Sequence, residues 1–453
     1  MSVHSLRYRH PRGLVLLSVT ELWERFSFYG VRGLLVLFLI GPSASGGLGW
    51  TESAALRFLG WFVGVSFLFP VLGGWLADRW IGTSRAVLTG GCVLIAGYGA
   101  LAAVAFIADG ANSELAIDGA VLVVLLYGST ALIGVGTGLF KPNVTVLVGR
   151  LYSRADPKRD EAFLIFYLAM NLGVVLCFFV IGTLGEGVSW WSGFAAAAVA
   201  MMISMAGYVA FRHRLSPSRT LESEAGTDLE STSGPLSSEE RRRIQLIAIL
   251  WLFAVLFWAG FEQMAGSLNL FAARFTDRTI GDFVVPATWF QSLNPFFIIV
   301  LVPCIAMLWQ RLGRSGLQLQ AHSKFAIGLS AMAIAFVVMT IAASHVGSDG
   351  ARVSGMWLIT AYFLITLGEL SLWTTSLAFV TKFAPARYSG LAVGLWYLAL
   401  ALGGFLAGWI GSLGGGSSMS IVFSGLGGAF AAAALVLFLS STRMKRLAPA
   451  VAD

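Results

Sequence analysis

The segment ELWERFSFYGVR places Glu21, Glu24, Arg25 and Arg32 inside a run otherwise apolar enough to cross a bilayer. Ionised groups at bilayer depth are costly and tend to face a partner or a water-filled cavity, so this cluster points to the handling of protons, ions or charged solutes. At about 100° per residue, Glu21, Glu24, Arg25, Phe28, Tyr29 and Arg32 fall on or beside one helical face. Three further ionisable residues lie at membrane depth, each on a different span: Lys141 in GTGLFKPN, Glu262 in WAGFEQ and Glu369 in LGELSLW. If the halves of the chain enclose a cavity, these charges meet there, and a Lys–Glu contact either gates the cavity or statically fixes the helices. Tyr29, Phe67, Trp258, Phe261 and Trp396 near the charges, with Asn171 and Asn294 in apolar spans, complete the candidate lining. An Asn in lipid must find hydrogen bonds, from a neighbouring helix or from a ligand.

His4, His10, His213, His322 and His345 all fall in termini, loops or span ends, so proton coupling, if present, rests on carboxylates. A glutamate titrates near pH 4.3 in water, burial raises that value and a nearby Arg or Lys lowers it. A cavity that alternately pairs and unpairs Glu24 or Glu262 therefore moves protons. GVGTGLFK is not a phosphate loop, because Phe140 precedes Lys141 and Pro142 follows it, where G-x-x-x-x-G-K-[ST] is required. That leaves an ion gradient or simple facilitation as the driving force. No nucleophile–base pair or metal-spaced cluster appears in the spans, so neither an enzyme nor a bound metal is expected.

The elements that must position these residues are membrane helices. The 453 residues are 57% hydrophobic and 12% charged, with a mean hydropathy of +0.80, where a soluble domain carries about 25% charged residues. Apolar runs of roughly 20 residues fall near 14–40, 52–77, 86–107, 119–149, 160–183, 190–211, 244–273, 287–309, 323–345, 353–381, 389–411 and 418–440. The expected architecture is all-α, about twelve spans. The net charge of +7 does not indicate nucleic acid, because the basic residues sort by side. Arg7, Arg9 and Arg12, then Arg79 and Arg85, then Arg150, Arg154, Lys158 and Arg159, then Arg212, Arg214, Arg219 and Arg241 to Arg243 mark the N-terminus and alternate loops. Arg311, Arg314, Lys324, Lys382, Arg387, Arg443, Lys445 and Arg446 continue the series. By the positive-inside rule both termini are cytoplasmic. The first run holds Glu21, Glu24 and Arg25 and is too long for a signal peptide, so it is read as a retained span. Cys92, Cys177 and Cys304 lie within spans and read as small packing residues.

Five segments follow: a cytoplasmic N-terminus (1–13), a six-helix bundle (14–212), a polar cytoplasmic linker (213–243), a second six-helix bundle (244–440) and a tail (441–453). Ser237 and Glu240 form a capping-box pattern ahead of the seventh span. Two six-span halves are the layout of transporters with a substrate site between the halves near the midplane. In GGWLADR the pattern marks a tight turn between spans two and three, with Gly74 permitting close helix approach and Asp78 placed to cap or pair. Gly404 and Gly408 read as a helix-packing GxxxG.

Taken in order along the chain, ELWERFSFYG, GGWLADR, GTGLFKPNVTVLVGRLY, FYLAMNLG, FQSLNP and GEL with VTKFAP resemble the proton-dependent oligopeptide transporter family of the major facilitator superfamily. The resemblance implies a major facilitator fold and proton-coupled import of di- and tripeptides by alternating access, with the proton as coupling ion and no cofactor. It implies that Glu21, Glu24, Arg25, Lys141 and Glu262 serve coupling, with Glu262 pairing across the cavity with Lys141. Arg32 and Lys141 would receive the peptide carboxylate, Glu369 its ammonium, and Asn171 and Asn294 its backbone. An inner-membrane location and a monomeric working unit are expected. The chain departs from the family pattern at Phe28, at Phe67 and at Trp373-Thr374, where the family carries Tyr, Tyr and Ser-Pro. These departures keep open another small anion or zwitterion, such as nitrate or an amino-acid derivative, and a non-transporting membrane sensor. The linker is too polar for the extra helix pair that many bacterial members carry.

Overall fold

In lipid a backbone finds hydrogen-bond partners only in itself, so long apolar runs coil into helices. The computed structural model of the chain describes residues 10–109, 118–153, 156, 158–215, 237–315, 321–346, 352–383, 389–414, 419–441 and 444. The helices are α1 (Arg12–Ile40), α2 (Glu52–Leu76), α3 (Thr83–Ala108), α4 (Gly119–Gly149), α5 (Lys158–Gly187), α6 (Trp190–Phe211), α7 (Ser238–Phe261), α8 (Ser267–Phe275), α9 (Leu293–Arg314), α10 (Ala321–Ser344), α11 (Met356–Phe383), α12 (Ser389–Ser412) and α13 (Met419–Leu439). Among the described residues ten helical stretches are long and apolar enough to cross a bilayer. The charge-bearing α1 and the helix α11 bring the set to the expected twelve, because α7 and α8 are two parts of one span. The molecule is an integral membrane protein. Its apolar exposed residues, such as Val124, Leu252, Ile421 and Phe438, lie along these helices, as a lipid-facing surface requires.

Helices α1 to α6 pack together, as do α7 to α13. Ser237 caps α7 by accepting the Glu240 N–H, while the Glu240 carboxylate accepts the Ser237 N–H. The segment 216–236 lies outside the described residues, as do the side chains of Trp373 and Thr374. We call the end of the molecule where α1 begins the near end and the opposite end the far end. At the far end lie two short strand pairs: β1 (Thr276–Asp277), which follows α8, lies parallel to β4 (Val353–Ser354), which precedes α11, and β2 (Thr279–Ile280) turns into β3 (Phe283–Val284).

Two glycine contacts sharpen the sequence reading. In GGWLADR the close approach belongs to Gly73, whose added Cβ would lie 2.1 Å from the Gly138 carbonyl oxygen, and not to Gly74, which meets only Pro142 at 3.8 Å. Gly404 and Gly408 pack against the other bundle: a Cβ on Gly60 of α2 would lie 2.6 Å from the Gly408 Cα, and one on Gly404 would lie 3.0 Å from the Gly64 nitrogen. Two backbones meet there without side chains between them. Gly60→Ala is therefore expected to hold the bundles apart at the far end and to lower uptake at least about tenfold. Uptake into proteoliposomes at the wild-type rate would show that this contact is not needed.

Candidate functional site

The span made of α7 and α8 is broken at its centre. After Phe261 the backbone tightens into a 3-10 turn over Glu262–Met264, and Gly266 then takes an irregular φ of -97° and ψ of -107° before α8 starts. Such breaks in membrane helices are tolerated where protein or water re-satisfies the backbone. This one presents Glu262 to α1, where Arg32 Nη1 donates to both carboxylate oxygens at 3.0 and 2.8 Å. Both residues are buried. The pairing expected between Glu262 and Lys141 is thus replaced by Arg32–Glu262. Arg32 lies on the bundle face opposite Glu262 and closes the ion pair directly, which leaves Lys141 to other contacts. Its ammonium sits 5.5 Å from the centre of the Phe67 ring, a cation–π distance.

Three residues of one helix face form a second cluster. Arg25 donates from Nε to Glu24 at 2.5 Å and from Nη2 to the other Glu24 oxygen at 2.6 Å, with Glu21 at 3.5 Å. Here the guanidinium acts as a fork across both oxygens, the strong bidentate arrangement. Glu21, Glu24 and Arg25 are buried, and Lys141 lies within electrostatic reach of both glutamates. Tyr29 stands between the two charge centres, with the Arg25 guanidinium 5.7 Å and the Arg32 guanidinium 4.6 Å from its ring. The spacing of four residues back and three residues forward puts all three on one face. Phe28, by contrast, is buried against Phe62 and Phe67, so this departure forms aromatic packing.

Between the bundles lies a cavity of about 110 Å³, lined by residues of both halves. Of the candidates, Arg25, Tyr29, Phe67, Lys141, Asn171, Trp258, Phe261, Glu262, Asn294 and Glu369 line it. Glu21, Glu24 and Arg32 stand behind the wall, and Trp396 is buried without lining it. Sequence reasoning missed Tyr167, Met170, Val174, Pro295, Ile298 and Leu400. Tyr167 precedes Asn171 by one turn and Pro295 follows Asn294, so the helical period around each amide carried a signal. The apolar four carried none. Asn171 donates to the Tyr167 carbonyl at 2.9 Å within its own helix. Asn294 donates to Thr366 at 3.0 Å and to Glu369 at 2.8 Å, which fixes the carboxylate against α9. Cations from α1 and α4 thus face a carboxylate from α11, an arrangement matched to a zwitterion.

The sequence profile of the POT family matches residues 84–215 and 231–414. The chain belongs to that family. It is 33% identical over 467 residues to a peptide transporter of Yersinia enterocolitica, covering 89% of this chain and 88% of that one. A dipeptide and tripeptide permease of Chromobacterium violaceum is 30% identical over 448 residues, covering 89% of this chain and 86% of the relative. Among solved structures, a POT peptide transporter variant in complex with alafosfalin superposes with a TM-score of 0.86 at 32% identity, over 98% of this chain and 97% of that one. The described helices thus have the major facilitator fold of the POT family.

Proposed function

We propose that the chain imports di- and tripeptides by symport with protons, through alternating exposure of the cavity between its bundles. The observation that carries this reading is the polarity of the cavity, with Arg25 and Lys141 on one wall and Glu369, held by Asn294, on the other. A peptide's two charged ends satisfy both walls whatever its side chains, while the apolar residues Met170, Val174, Ile298 and Leu400 tolerate varied side chains. Coupling follows from charge balance. Glu21, Glu24, Arg25 and Lys141 sum to zero when all are ionised. A proton on either glutamate leaves one positive charge, which the peptide carboxylate neutralises in a region where an unpaired charge is costly.

In this reading the near end faces the cytoplasm of a bacterium, both termini are cytoplasmic, and the membrane is the inner one. The two six-helix bundles (14–212 and 244–440), joined by the linker 213–243, are the moving bodies. The chain acts as a monomer, without a resident cofactor or metal, and performs no catalysis. The departures at Phe28 and Phe67 remove hydroxyls and support a second reading, in which another small zwitterion or anion is carried. Proteoliposomes loaded at neutral pH and diluted into acidic buffer are expected to accumulate labelled dialanine above its external concentration. Equal uptake with and without the proton gradient would sink the coupling. Failure of a peptide panel to compete, with nitrate or an amino-acid derivative competing instead, would select the second reading.

A further inference from the structure

At the far end the last turns of α5 present Phe179, Gly182, Thr183 and Glu186 on one face, and this face meets the chain that leads into α9. Glu186 accepts three hydrogen bonds there: from the Ala287 N–H at 2.7 Å, from the Thr288 N–H at 2.9 Å and from the Thr288 hydroxyl at 2.7 Å. Arg278, from the segment between β1 and β2, approaches the same carboxylate at 3.8 Å. Gly182 lets the chains close up, since its added Cβ would lie 2.0 Å from the Thr288 hydroxyl. Trp289 completes the contact by donating to Thr183 at 3.1 Å and packing edge-on against Phe179 at 4.7 Å. Every acceptor belongs to the first bundle and every donor to the second.

Pro286 immediately precedes the two amides. They open a helical turn, Ala287–Ser292, that runs directly into α9, so no preceding turn of helix supplies them with acceptors. A carboxylate is the acceptor best suited to that end, because it takes two N–H groups and faces the positive end of the helix. Deeper in the same seam Asn269 donates to the Gly33 carbonyl at 2.8 Å and Gln291 to the same oxygen at 3.4 Å. Gly33 is the neighbour of Arg32, so the seam is continuous from the clasp at Glu186 to the Arg32–Glu262 pair.

We propose that Glu186 is a positioning residue of the transport cycle: its clasp on Ala287 and Thr288 holds the far end shut, and its release is the step that opens the cavity to peptide on that side. This rests on the alternating-access reading above, and its test reads conformation independently of transport. In a background with Cys92, Cys177 and Cys304 replaced by alanine, spin labels at Ser43→Cys and Ser354→Cys, both exposed at the far end, report the separation of the bundles in liposomes by pulsed electron resonance. Glu186→Gln keeps the size of the side chain but presents an amide donor where one oxygen received an N–H. The population with the longer separation is expected to rise about tenfold, which is the effect of losing one charge-assisted bond of about 1.4 kcal/mol. Thr288→Val, which removes the hydroxyl and leaves both amides, is expected to move it in the same direction by less. Because the binding-competent population grows, the apparent affinity for peptide offered from the far side rises with it. Unchanged separations in both variants overturn the proposal, as does slower uptake of Glu186→Gln with wild-type separations, which marks a merely structural residue. A shift in separation in a protein that carries no peptide would preserve the clasp and discard the peptide reading.

Discussion

Glu24→Gln is expected to abolish proton-driven accumulation of dialanine while leaving exchange of labelled for unlabelled peptide partly intact. In the wild type both oxygens of Glu24 are held by Arg25, and among the described residues Glu21 accepts no hydrogen bond although it lies 3.5 Å from the same guanidinium. Glutamine fixes this position in a state that cannot release a proton, so the cluster carries its extra positive charge permanently. Peptide carboxylate can still neutralise that charge, and the loaded carrier can cross in either direction. What is lost is the return of the empty carrier, which needs the charge removed. A membrane potential supplies about 2.3 kcal/mol per charge per 100 mV and one pH unit about 1.4 kcal/mol. One proton therefore supports roughly five-hundredfold accumulation of a neutral solute, and the variant is expected to show none. Parallel measurements of gradient-driven uptake and of counterflow decide the matter. Equal loss of both would assign Glu24 to the integrity of the binding site and not to coupling.

The buried charge cluster was legible because charge in an apolar run is conspicuous. Glu21, Glu24, Arg25, Lys141, Glu262 and Glu369 are found by their cost, and six more lining residues, Tyr29, Phe67, Asn171, Trp258, Phe261 and Asn294, are the aromatics and amides read beside them. The twelve spans were legible for the same reason in reverse, since apolar runs of that length have one stable form in lipid. What stayed hidden depends on which way a residue faces. Met170, Val174, Ile298 and Leu400 line the cavity with side chains of the type that Val124 and Leu252 present at the surface, and no composition distinguishes the two. The partner of Glu262 was hidden too, because Arg32 and Lys141 were both plausible cations and the choice is made by the break in the span at Glu262–Met264. Glu186 lies at a span end, where acids are ordinary, and its importance comes entirely from the amides brought to it from 101 residues away.

The second large effect is expected at the Arg32–Glu262 pair. Arg32→Ala leaves a buried carboxylate without its cation, and Glu262→Ala leaves a buried guanidinium without its anion; removing one partner of a buried pair costs about 3–5 kcal/mol. Either single variant is thus expected to open the far end or to lower the melting temperature, and to transport poorly. The informative variant replaces both, Arg32→Met with Glu262→Leu. An apolar pair of similar volume in a dry seam is commonly as stable as the ion pair it replaces, or more so. Once the bundles part, however, water solvates two charges well and two apolar groups badly. The ion pair is close to neutral between the shut and open states, whereas the apolar pair favours the shut state alone. The double variant is expected to melt at or above the wild-type temperature, to keep the short far-end separation and to lose uptake almost completely. Uptake near the wild-type rate from that variant would show that the pair only joins the helices, whereas a stable and immobile transporter identifies it as the part of the seam that must open.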